Sequence, residues 1–453
     1  MITSFKKNPL IFMIVSLVYI CLLVVLLLNL GVILDLIQGT DNNMIRVHTN
    51  NSIILFITNT CQLSQNSLHL FGYTLISMLL IFIISIYYSI SFSKEDLIKF
   101  IIYTVVLFLG GILMLTTTSI FIMFIGYELI LLPTIYIVSN FSKTSRGREA
   151  CDFMIVWTQI GAFLLFGTFG MIFWGIPVFV NSFASYELSN ALTNLLVLLI
   201  FIGFAPKMAV YPFYYWLPEA HVEVCTNFSI VLSGISIKFA YLGFIRFMCW
   251  VGCGDIYWIL FMVLMVGFFD AMFRIDGECD IKKIVAYQTV VEMHVLVGFM
   301  LLDPSTYIAL CIFLLNVHCW ISTAGFIIVD IIARRYHTRN IERLYGIFAK
   351  SPQITKLIFL IVFIIGSLPG TSIFSIELLI SVYINAHPFG LFLFIGTQLI
   401  IPVWSRNIWW ILWGGDLRYS ENKMTFNLTK SELYLIIVII LYSIPPFFLL
   451  SFL

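Results

Sequence analysis

The chain has 453 residues, of which 61% are hydrophobic and 10% are charged, and its formal net charge is +1. A soluble domain carries about 25% charged residues, so this composition excludes a soluble multidomain protein and predicts membrane spans instead. The nearly balanced charge gives no reason to expect a nucleic acid as a partner.

Apolar runs long enough to cross a bilayer recur along the whole chain, because about 20 helical residues suffice for one crossing. The first run follows Lys6 and Lys7 and has no small-residue cleavage site after it, which predicts a membrane span and not a removed signal peptide. The predicted fold class is an all-α polytopic membrane protein of about 13 transmembrane helices. The predicted spans are 10–34, 72–92, 98–116, 118–140, 152–175, 194–217, 225–248, 256–273, 283–302, 306–332, 354–385, 389–413 and 434–453.

Two of these spans are predicted to be discontinuous helices. The sixth contains Pro206 and Pro212, and a proline removes a backbone hydrogen bond and clashes with the preceding turn. The eleventh is longer than one straight crossing needs and contains Pro369 and Gly370. Broken membrane helices leave backbone groups that can line a polar cavity, so both breaks indicate a transport site.

Basic residues are distributed unevenly between the predicted loops. If the N-terminus faces inside, the outside loops contain Arg46 alone, while Lys207, Lys238, Arg246 and Arg406 fall within spans. The rest of the 24 Lys and Arg residues then lie on the inside. The positive-inside rule therefore predicts an inside N-terminus and an outside C-terminus.

Several ionisable residues lie deep within predicted spans, where a charge costs about 3 kcal/mol or more and a functional role is the first hypothesis. A lysine near a carboxylate keeps its proton, whereas a desolvated lysine that is separated from one loses proton affinity. A series of such groups linked by water can therefore relay protons. For any single member, a structural ion pair or a side chain snorkelling to the interface is an equally good interpretation. The candidates are Glu128, Lys207, Lys238, Glu292, His294, His318 and Glu377.

The spacing of four ionisable candidates predicts an internal repeat. Glu128 and Lys207 lie on the fourth and sixth predicted spans, and Glu292 and Glu377 lie on the ninth and eleventh. An offset of five spans reverses the orientation in the membrane, as in transporters built from inverted repeats. The predicted organisation is N-terminal spans in 1–97, a first five-helix repeat in 98–273, a second inverted repeat in 283–413 and a C-terminal span in 414–453.

The same offset pairs Lys238 with Arg406 on the twelfth predicted span. This symmetry predicts that Arg406 projects into the interior near the terminal end of the relay. The alternative is that Arg406 snorkels to the headgroups, because Trp404, Trp409 and Trp410 flank it like an aromatic belt.

The 9 cysteines are scattered, and the closest pair, Cys249 and Cys253, lacks the CxxC spacing. No Cys/His cluster has the spacing of a zinc or iron–sulfur site, and no glycine-rich nucleotide motif is present in the sequence. We therefore expect no metal and no cofactor in this chain.

Several segments resemble the antiporter-like membrane subunits of respiratory complex I, the NADH–quinone dehydrogenase. The matches run from about residue 120 to residue 380 in the order of that family. The WLPEAH and LPGT sequences are its most specific signatures. The matching segments are FIGYELILLPT at 124–134, PKMAVYPFYYWLPEAHVEV at 206–224, SIK at 236–238, DIKKIVAY at 280–287, LLNVHCW around His318 and SLPGTSIFSIELLI at 367–380.

The resemblance implies a role for each matching residue. Glu128 and Lys207 would form the coupling ion pair, Lys238 would be the central relay lysine, His318 would lie on the relay axis and Glu377 would be its terminal group. The chain would be a proton-translocating part of NADH:ubiquinone reductase, with NADH, flavin, iron–sulfur clusters and ubiquinone bound by other subunits. Implied partners are the other membrane-arm subunits, in the mitochondrial inner membrane, with the N-terminus on the matrix side.

Two segments depart from the family pattern. Glu292 stands where the family has a histidine, and His294 lies two residues on, on a different face of the helix. The middle of the relay is therefore predicted to use a carboxylate. Cys225 replaces the family's proline after the AHVEV segment.

Two other functions remain open. An Mrp-type cation/proton antiporter subunit shares the same signatures, and a membrane scaffold could use buried charges only to pair helices. Replacing Lys238 separates the relay from the scaffold.

Two inside segments carry polar residues without an assigned role. Glu219, His221 and Glu223 share a short loop that is predicted to be a solvated polar turn, with a proton entry point or a contact with a neighbouring subunit as the alternative. The basic loop 334–350 is expected to contact anionic lipid such as cardiolipin.

Overall fold

The computed structural model describes residues 65–89, 93–117, 120–142, 144–175, 190–252, 254–302 and 304–344, together with a few single positions beyond them. Almost all of this part is helical. A π-helical segment, Leu232–Ser236, joins α7 to α8, and a short 3₁₀ turn, Ile341–Arg343, follows α11. The helices are α1 (Gln65–Ser89), α2 (Lys94–Thr116), α3 (Ile120–Phe141), α4 (Ser145–Gly175), α5 (Asn190–Met208), α6 (Trp216–Glu223), α7 (Thr226–Val231), α8 (Ile237–Val251), α9 (Tyr257–Gly277), α10 (Ile281–Leu302) and α11 (Pro304–Tyr336).

The described residues contain 9 segments that are long and apolar enough to cross a membrane. They coincide with the second to the tenth predicted spans, so this part of the prediction is confirmed. Helices α7 and α8 with the π segment between them form one crossing, Thr226–Cys249. The first predicted span and the last three lie outside the described residues, and the total helix count therefore stays a prediction.

Several helices begin before the apolar run that predicted them, because polar residues form their first turns. Ser93 caps α2 by accepting a hydrogen bond from the Asp96 backbone N–H at 3.2 Å, and Glu95 and Asp96 lie in the first turn. The basic residues assigned to inside loops, such as Lys94 and Lys282, consequently lie on terminal helical turns. The observed loops are thus shorter than the predicted loops.

The break in the sixth predicted span is confirmed, but the helix continues past Pro206 before it ends. Pro206 lies inside α5, and the helix ends two residues later at Met208, where Ala209 takes a φ of 54°. The chain then runs irregularly until α6 begins at Trp216. The Trp216 indole N–H donates to the Pro206 carbonyl at 3.0 Å, which satisfies a backbone acceptor left over by the break.

Three crossings lie in the centre of the described bundle. In the crossings Thr226–Cys249, Ile281–Leu302 and Tyr307–Tyr336 an apolar stretch of 18 residues is fully buried, whereas about half of the corresponding stretch is buried in the other crossings. Large apolar side chains such as Phe163 and Phe273 are exposed on the outer helices, as expected for a surface that faces lipid. The central crossings also carry most of the ionisable candidates, so the candidate site lies in the core of the bundle.

Candidate functional site

Lys238 and His294 are the most deeply buried of the described ionisable candidates, and Lys238 is considered first. Its side chain is 0% exposed, and it lies in the first turn of α8 directly after the π segment. Its ammonium has no hydrogen-bond partner among the described residues. Glu292 on α10 and His318 on α11 lie within electrostatic range of this ammonium, so the three central crossings each contribute one ionisable group.

Glu292 and His318 are also buried, with 5% and 1% exposure. The Gln288 amide donates to the Glu292 carboxylate at 3.2 Å. Both ring nitrogens of His318 lack a hydrogen-bond partner in the described part of the chain. The structure thus brings together the carboxylate that departs from the family pattern and the central lysine.

Lys207 and Glu128 interact without direct contact. The Lys207 ammonium lies 3.0 Å from the centre of the Tyr127 ring and donates to the Tyr127 backbone carbonyl. One oxygen of the half-buried Glu128 carboxylate accepts a hydrogen bond from Gln159 at 3.4 Å, and the other has no partner among the described residues. No Glu128–Lys207 ion pair within 4.0 Å occurs among the described residues. The resemblance implies an ion pair between Glu128 and Lys207. In the structure their charges interact at a distance, and the Lys207 ammonium contacts Tyr127 instead.

His294 has a structural role in the broken span. Its Nδ1 lies 2.7 Å from the Val290 carbonyl, and its Nε2 accepts the Tyr211 backbone N–H at 2.9 Å. One nitrogen must therefore donate and the other accept, which describes a neutral ring. His294 thus satisfies a backbone donor freed by the break after α5, and its role in the relay stays a prediction.

Gly267 on α9 makes room for this contact. A Cβ there would lie 2.3 Å from His294 Nε2 and 2.2 Å from Tyr211 Cβ, closer than any real contact. We expect Gly267→Ala to destabilise the protein by about 1–3 kcal/mol, the usual cost of overpacking. Thermal unfolding measures this loss. Gly277→Ala on the same helix is the control, because nothing lies within 4 Å of its Cβ position, and an equal loss in both variants would contradict the packing argument.

His221 is buried, so the prediction of a solvated polar turn is wrong for this residue. Its side chain is 0% exposed and its ring stacks on Phe326 with centroids 4.6 Å apart. Burial, together with the nearby Lys282 and Lys238 charges, lowers the pKa of His221 well below its usual range. Glu219 keeps the predicted polar character and forms a 2.7 Å ion pair with Lys283.

Lys282 is a buried cation that was not among the predicted site residues. It was counted among loop charges, yet its side chain is 3% exposed and its ammonium donates to the Val224 carbonyl at 2.6 Å. Together with His221 it extends the series of buried ionisable groups from Lys238 towards the predicted inside surface. The signal in the sequence is the hydrophobic run that starts after Lys283, and it does not distinguish a buried Lys282 from a loop residue.

Four predicted site positions fall outside the described residues, namely Glu377, Arg406, Pro369 and Gly370. Their roles stay predictions, as do the second inverted repeat and the absence of a cofactor. Pro212 lies in the irregular segment between α5 and α6, as its predicted role in the break requires.

Comparison with known families assigns the class of protein. The model of the NADH:quinone oxidoreductase/Mrp antiporter transmembrane family matches residues 117–401, which is more than half of the chain. The chain therefore belongs to this family. The matched region includes each ionisable candidate except Arg406, and it covers both predicted helix breaks.

Its relatives include named complex I subunits. It is 28% identical to NADH-ubiquinone oxidoreductase chain 4 of Paramecium tetraurelia over 82% of this chain and 79% of that protein. It is 28% identical to chain 4 of Arabidopsis thaliana over 64% and 59%, and 28% identical to NADH-quinone oxidoreductase subunit M of Rickettsia bellii over 58% and 54%. The chain thus spans less than two thirds of the latter two relatives. The predicted identification as an antiporter-like subunit of respiratory complex I is confirmed.

Two solved structures show the same fold. The Mrp complex from Dietzia sp. DQ12-45-1b superposes with a TM-score of 0.62 at 18% identity, covering 78% of this chain and 66% of that chain. The archaeal membrane-bound sulfane sulfur reductase gives 0.70 at 15% identity, covering 82% and 79%. These likenesses confirm the polytopic membrane fold.

Proposed function

We propose that this chain translocates protons through a relay of buried ionisable residues and carries out no redox chemistry itself. The observation that supports this most directly is the Lys238 ammonium, which is fully buried, without a hydrogen-bond partner among the described residues, and within electrostatic range of a carboxylate and a histidine. A charge in that position costs several kcal/mol, on the order of the burial penalty for an ion, and it is not offset by direct contacts. Such a cost is expected at a residue that binds and releases a proton during transport.

The proposed route has three stages in the chain. Glu128 and Lys207 sense the charge state of the neighbouring subunit, Lys238 holds the proton in the centre, and His318 and Glu292 accept it. Glu377, outside the described residues, is proposed as the terminal group. His221 is proposed as the link to the inside surface, since it lies within electrostatic range of both Lys238 and Lys282.

Coupling is proposed to be electrostatic. The Lys207 ammonium rests on the Tyr127 carbonyl and ring, next to Glu128 in sequence but without a contact ion pair within 4.0 Å. A change of charge nearby can therefore move Lys207 between the carbonyl and the carboxylate. That movement alters the field at the next buried lysine and shifts its proton affinity.

The wider setting follows from the relatives. We propose that the chain assembles with other membrane-arm subunits of complex I in the mitochondrial inner membrane, with its N-terminus on the matrix side and its C-terminus on the other. NADH, flavin, iron–sulfur clusters and ubiquinone are then bound by other subunits. Anionic lipid is a further proposed partner.

An Mrp-type cation/proton antiporter subunit is the alternative function. It is favoured by the shared family and by the likeness to the Mrp complex at a TM-score of 0.62. Replacing Na⁺ and K⁺ by choline separates the two functions. Proton movement that continues without both cations supports the complex I relay, and a requirement for either cation supports the antiporter.

Glu292→Gln in the assembled complex tests the proposed relay. The substitution keeps the size of the side chain but removes the charge that faces Lys238, so we expect the number of protons translocated per NADH oxidised to fall. The coupled rate is expected to fall by about tenfold or more, since a positioned proton-transfer group contributes about 10²–10⁴-fold. Glu219→Gln is the control, because Glu219 lies outside the crossings and forms a partly exposed ion pair. Normal translocation in Glu292→Gln would remove this residue from the route.

A further inference from the structure

A polar cavity opens where the start of α7, the start of α10 and the end of α11 meet. Its volume is about 520 Å³, within the range of about 300–1,000 Å³ that ligand pockets occupy. The cavity is separate from the central Lys238 cluster, whose three members do not line it. The polar residues that matter here are Cys225, Asn227, Lys282, Asp330, Arg334 and Arg339.

The cavity is rich in cations and poor in anions. Its carboxylate, Asp330, already accepts a hydrogen bond from Thr226 at 2.9 Å and pairs with Arg334 at 2.7 Å. Arg339 pairs with Asp280 at 3.2 Å. These partners neutralise the two arginines in part, and they leave no free carboxylate for the remaining cation.

That cation is Lys282. Its side chain is 3% exposed, and within the described part of the chain no carboxylate lies within 4.0 Å of its ammonium. The ammonium has one hydrogen bond, to the Val224 carbonyl at 2.6 Å, although it can donate three. Asp330 and Asp280 act on Lys282 from a distance only, and a buried cation without a carboxylate in contact is costly, so an anion in the cavity would be stabilised there.

Asn227 supplies a second donor that points to a ligand. Its side chain is 3% exposed, and its amide nitrogen has no acceptor among the described residues. Buried amide donors are nearly always paired, so an unpaired one in the wall of a cavity indicates a missing acceptor. An oxyanion would accept hydrogen bonds from both the amide and the ammonium.

We propose that this cavity binds a phosphate oxyanion, held by Lys282 and Asn227 and flanked by Arg334 and Arg339. Lys282 is the second residue of its crossing and Arg334 lies in the last turn of α11, so the cavity is at the end of the crossings, where headgroups lie. Two sources of phosphate share this chemistry: the headgroup of an anionic phospholipid and soluble phosphate. The proposal does not rest on the relay, although Lys282 also lies within electrostatic range of His221.

Cys225 allows the proposal to be tested inside the assembled complex. It lines the cavity and is partly exposed, so a bound anion should shield its thiol from iodoacetamide. Burial raises the pKa of this thiol, and alkylation rates are therefore compared at one pH. The rate is read from the Cys225 peptide by mass spectrometry, with the complex in nanodiscs of phosphatidylcholine, in the same nanodiscs with inorganic phosphate, or in nanodiscs containing phosphatidylglycerol.

We expect several-fold slower alkylation of Cys225 with phosphatidylglycerol than with phosphatidylcholine alone, and loss of that protection in Lys282→Gln. Lys283→Gln is the matched control: it removes the adjacent positive charge, but Lys283 pairs with Glu219 and Glu278 and does not line the cavity. Its protection should equal that of the unaltered chain. Protection by inorganic phosphate in phosphatidylcholine, with the same dependence on Lys282, would identify soluble phosphate as the source.

Three results would overturn the proposal. The first is equal alkylation of the unaltered chain under all three conditions, which needs no variant to fold. The second is protection that persists in Lys282→Gln. The third is a Cys225 that stays unlabelled in phosphatidylcholine without phosphate, because the cavity would then be closed in the complex.

Discussion

Lys238→Met should abolish proton translocation through this chain while the complex still assembles. The expected fall in the coupled rate is about tenfold or more, since a positioned proton-transfer group contributes about 10²–10⁴-fold. Assembly is expected to survive because the Lys238 ammonium makes no hydrogen bond to any described residue that the substitution could break. Replacing a buried charge by an apolar side chain of similar volume is often neutral or stabilising. Protons translocated per NADH oxidised and the amount of intact complex are the two measurements.

These two measurements separate a relay from a scaffold. If buried charges only pair helices, Lys238→Met should leave translocation unchanged, and normal assembly with normal translocation would refute the relay role. Lys238→Arg is the charge-retaining control. It keeps a cation facing Glu292 but binds its proton far more tightly, so we expect assembly to be normal and translocation to be impaired.

Lys207→Met is expected to have the second largest effect. The ammonium contacts the Tyr127 ring and carbonyl, and methionine keeps the contact with the ring but removes the charge. We expect translocation to fall by about tenfold with little loss of stability, because the lost hydrogen bond is worth about 1 kcal/mol or somewhat more for a charged donor. The same proton-to-NADH ratio measures the effect.

Tyr127→Phe provides the matched control for Lys207→Met. It keeps the aromatic ring and the backbone carbonyl under Lys207, and it loses only the hydroxyl hydrogen bond to the Gly203 carbonyl at 2.8 Å. A small loss of stability with normal translocation is expected. If Glu128 and Lys207 act as one unit, the Glu128→Gln and Lys207→Met effects should be non-additive in the double variant. Fully additive effects would contradict their electrostatic coupling.

The membrane spans were predictable because the bilayer imposes a length and a polarity on each helix. Every predicted span from 72–92 to 306–332 corresponds to an observed crossing. Prolines marked the break after α5. The helix ends at Met208, two residues after Pro206, because Pro206 lies within its last turn. These features depend on local composition, which a sequence displays directly.

Partners and burial were less predictable, because they depend on residues far apart in the chain. His294 was a relay candidate, yet its two nitrogens bond the Tyr211 and Val290 backbones. Lys282 was counted as a loop charge, yet it is buried against the Val224 carbonyl 58 residues earlier. A hydrophobic run shows that a residue enters the membrane, but not which helix covers it.

The sequence by itself determined that this chain crosses the membrane repeatedly, where its crossings lie, and which ionisable residues are placed at a cost within them. Hydropathy and proline placement are local, so these conclusions need no knowledge of packing. Only the tertiary structure decided which of those residues lie near one another. Lys238 lies within electrostatic range of Glu292 and His318 in the core, Lys207 contacts Tyr127 rather than Glu128, and His221 is buried. Packing of non-neighbouring helices selects these contacts, and the same helix face can be lined by lipid, protein or a polar cavity until its partners are known.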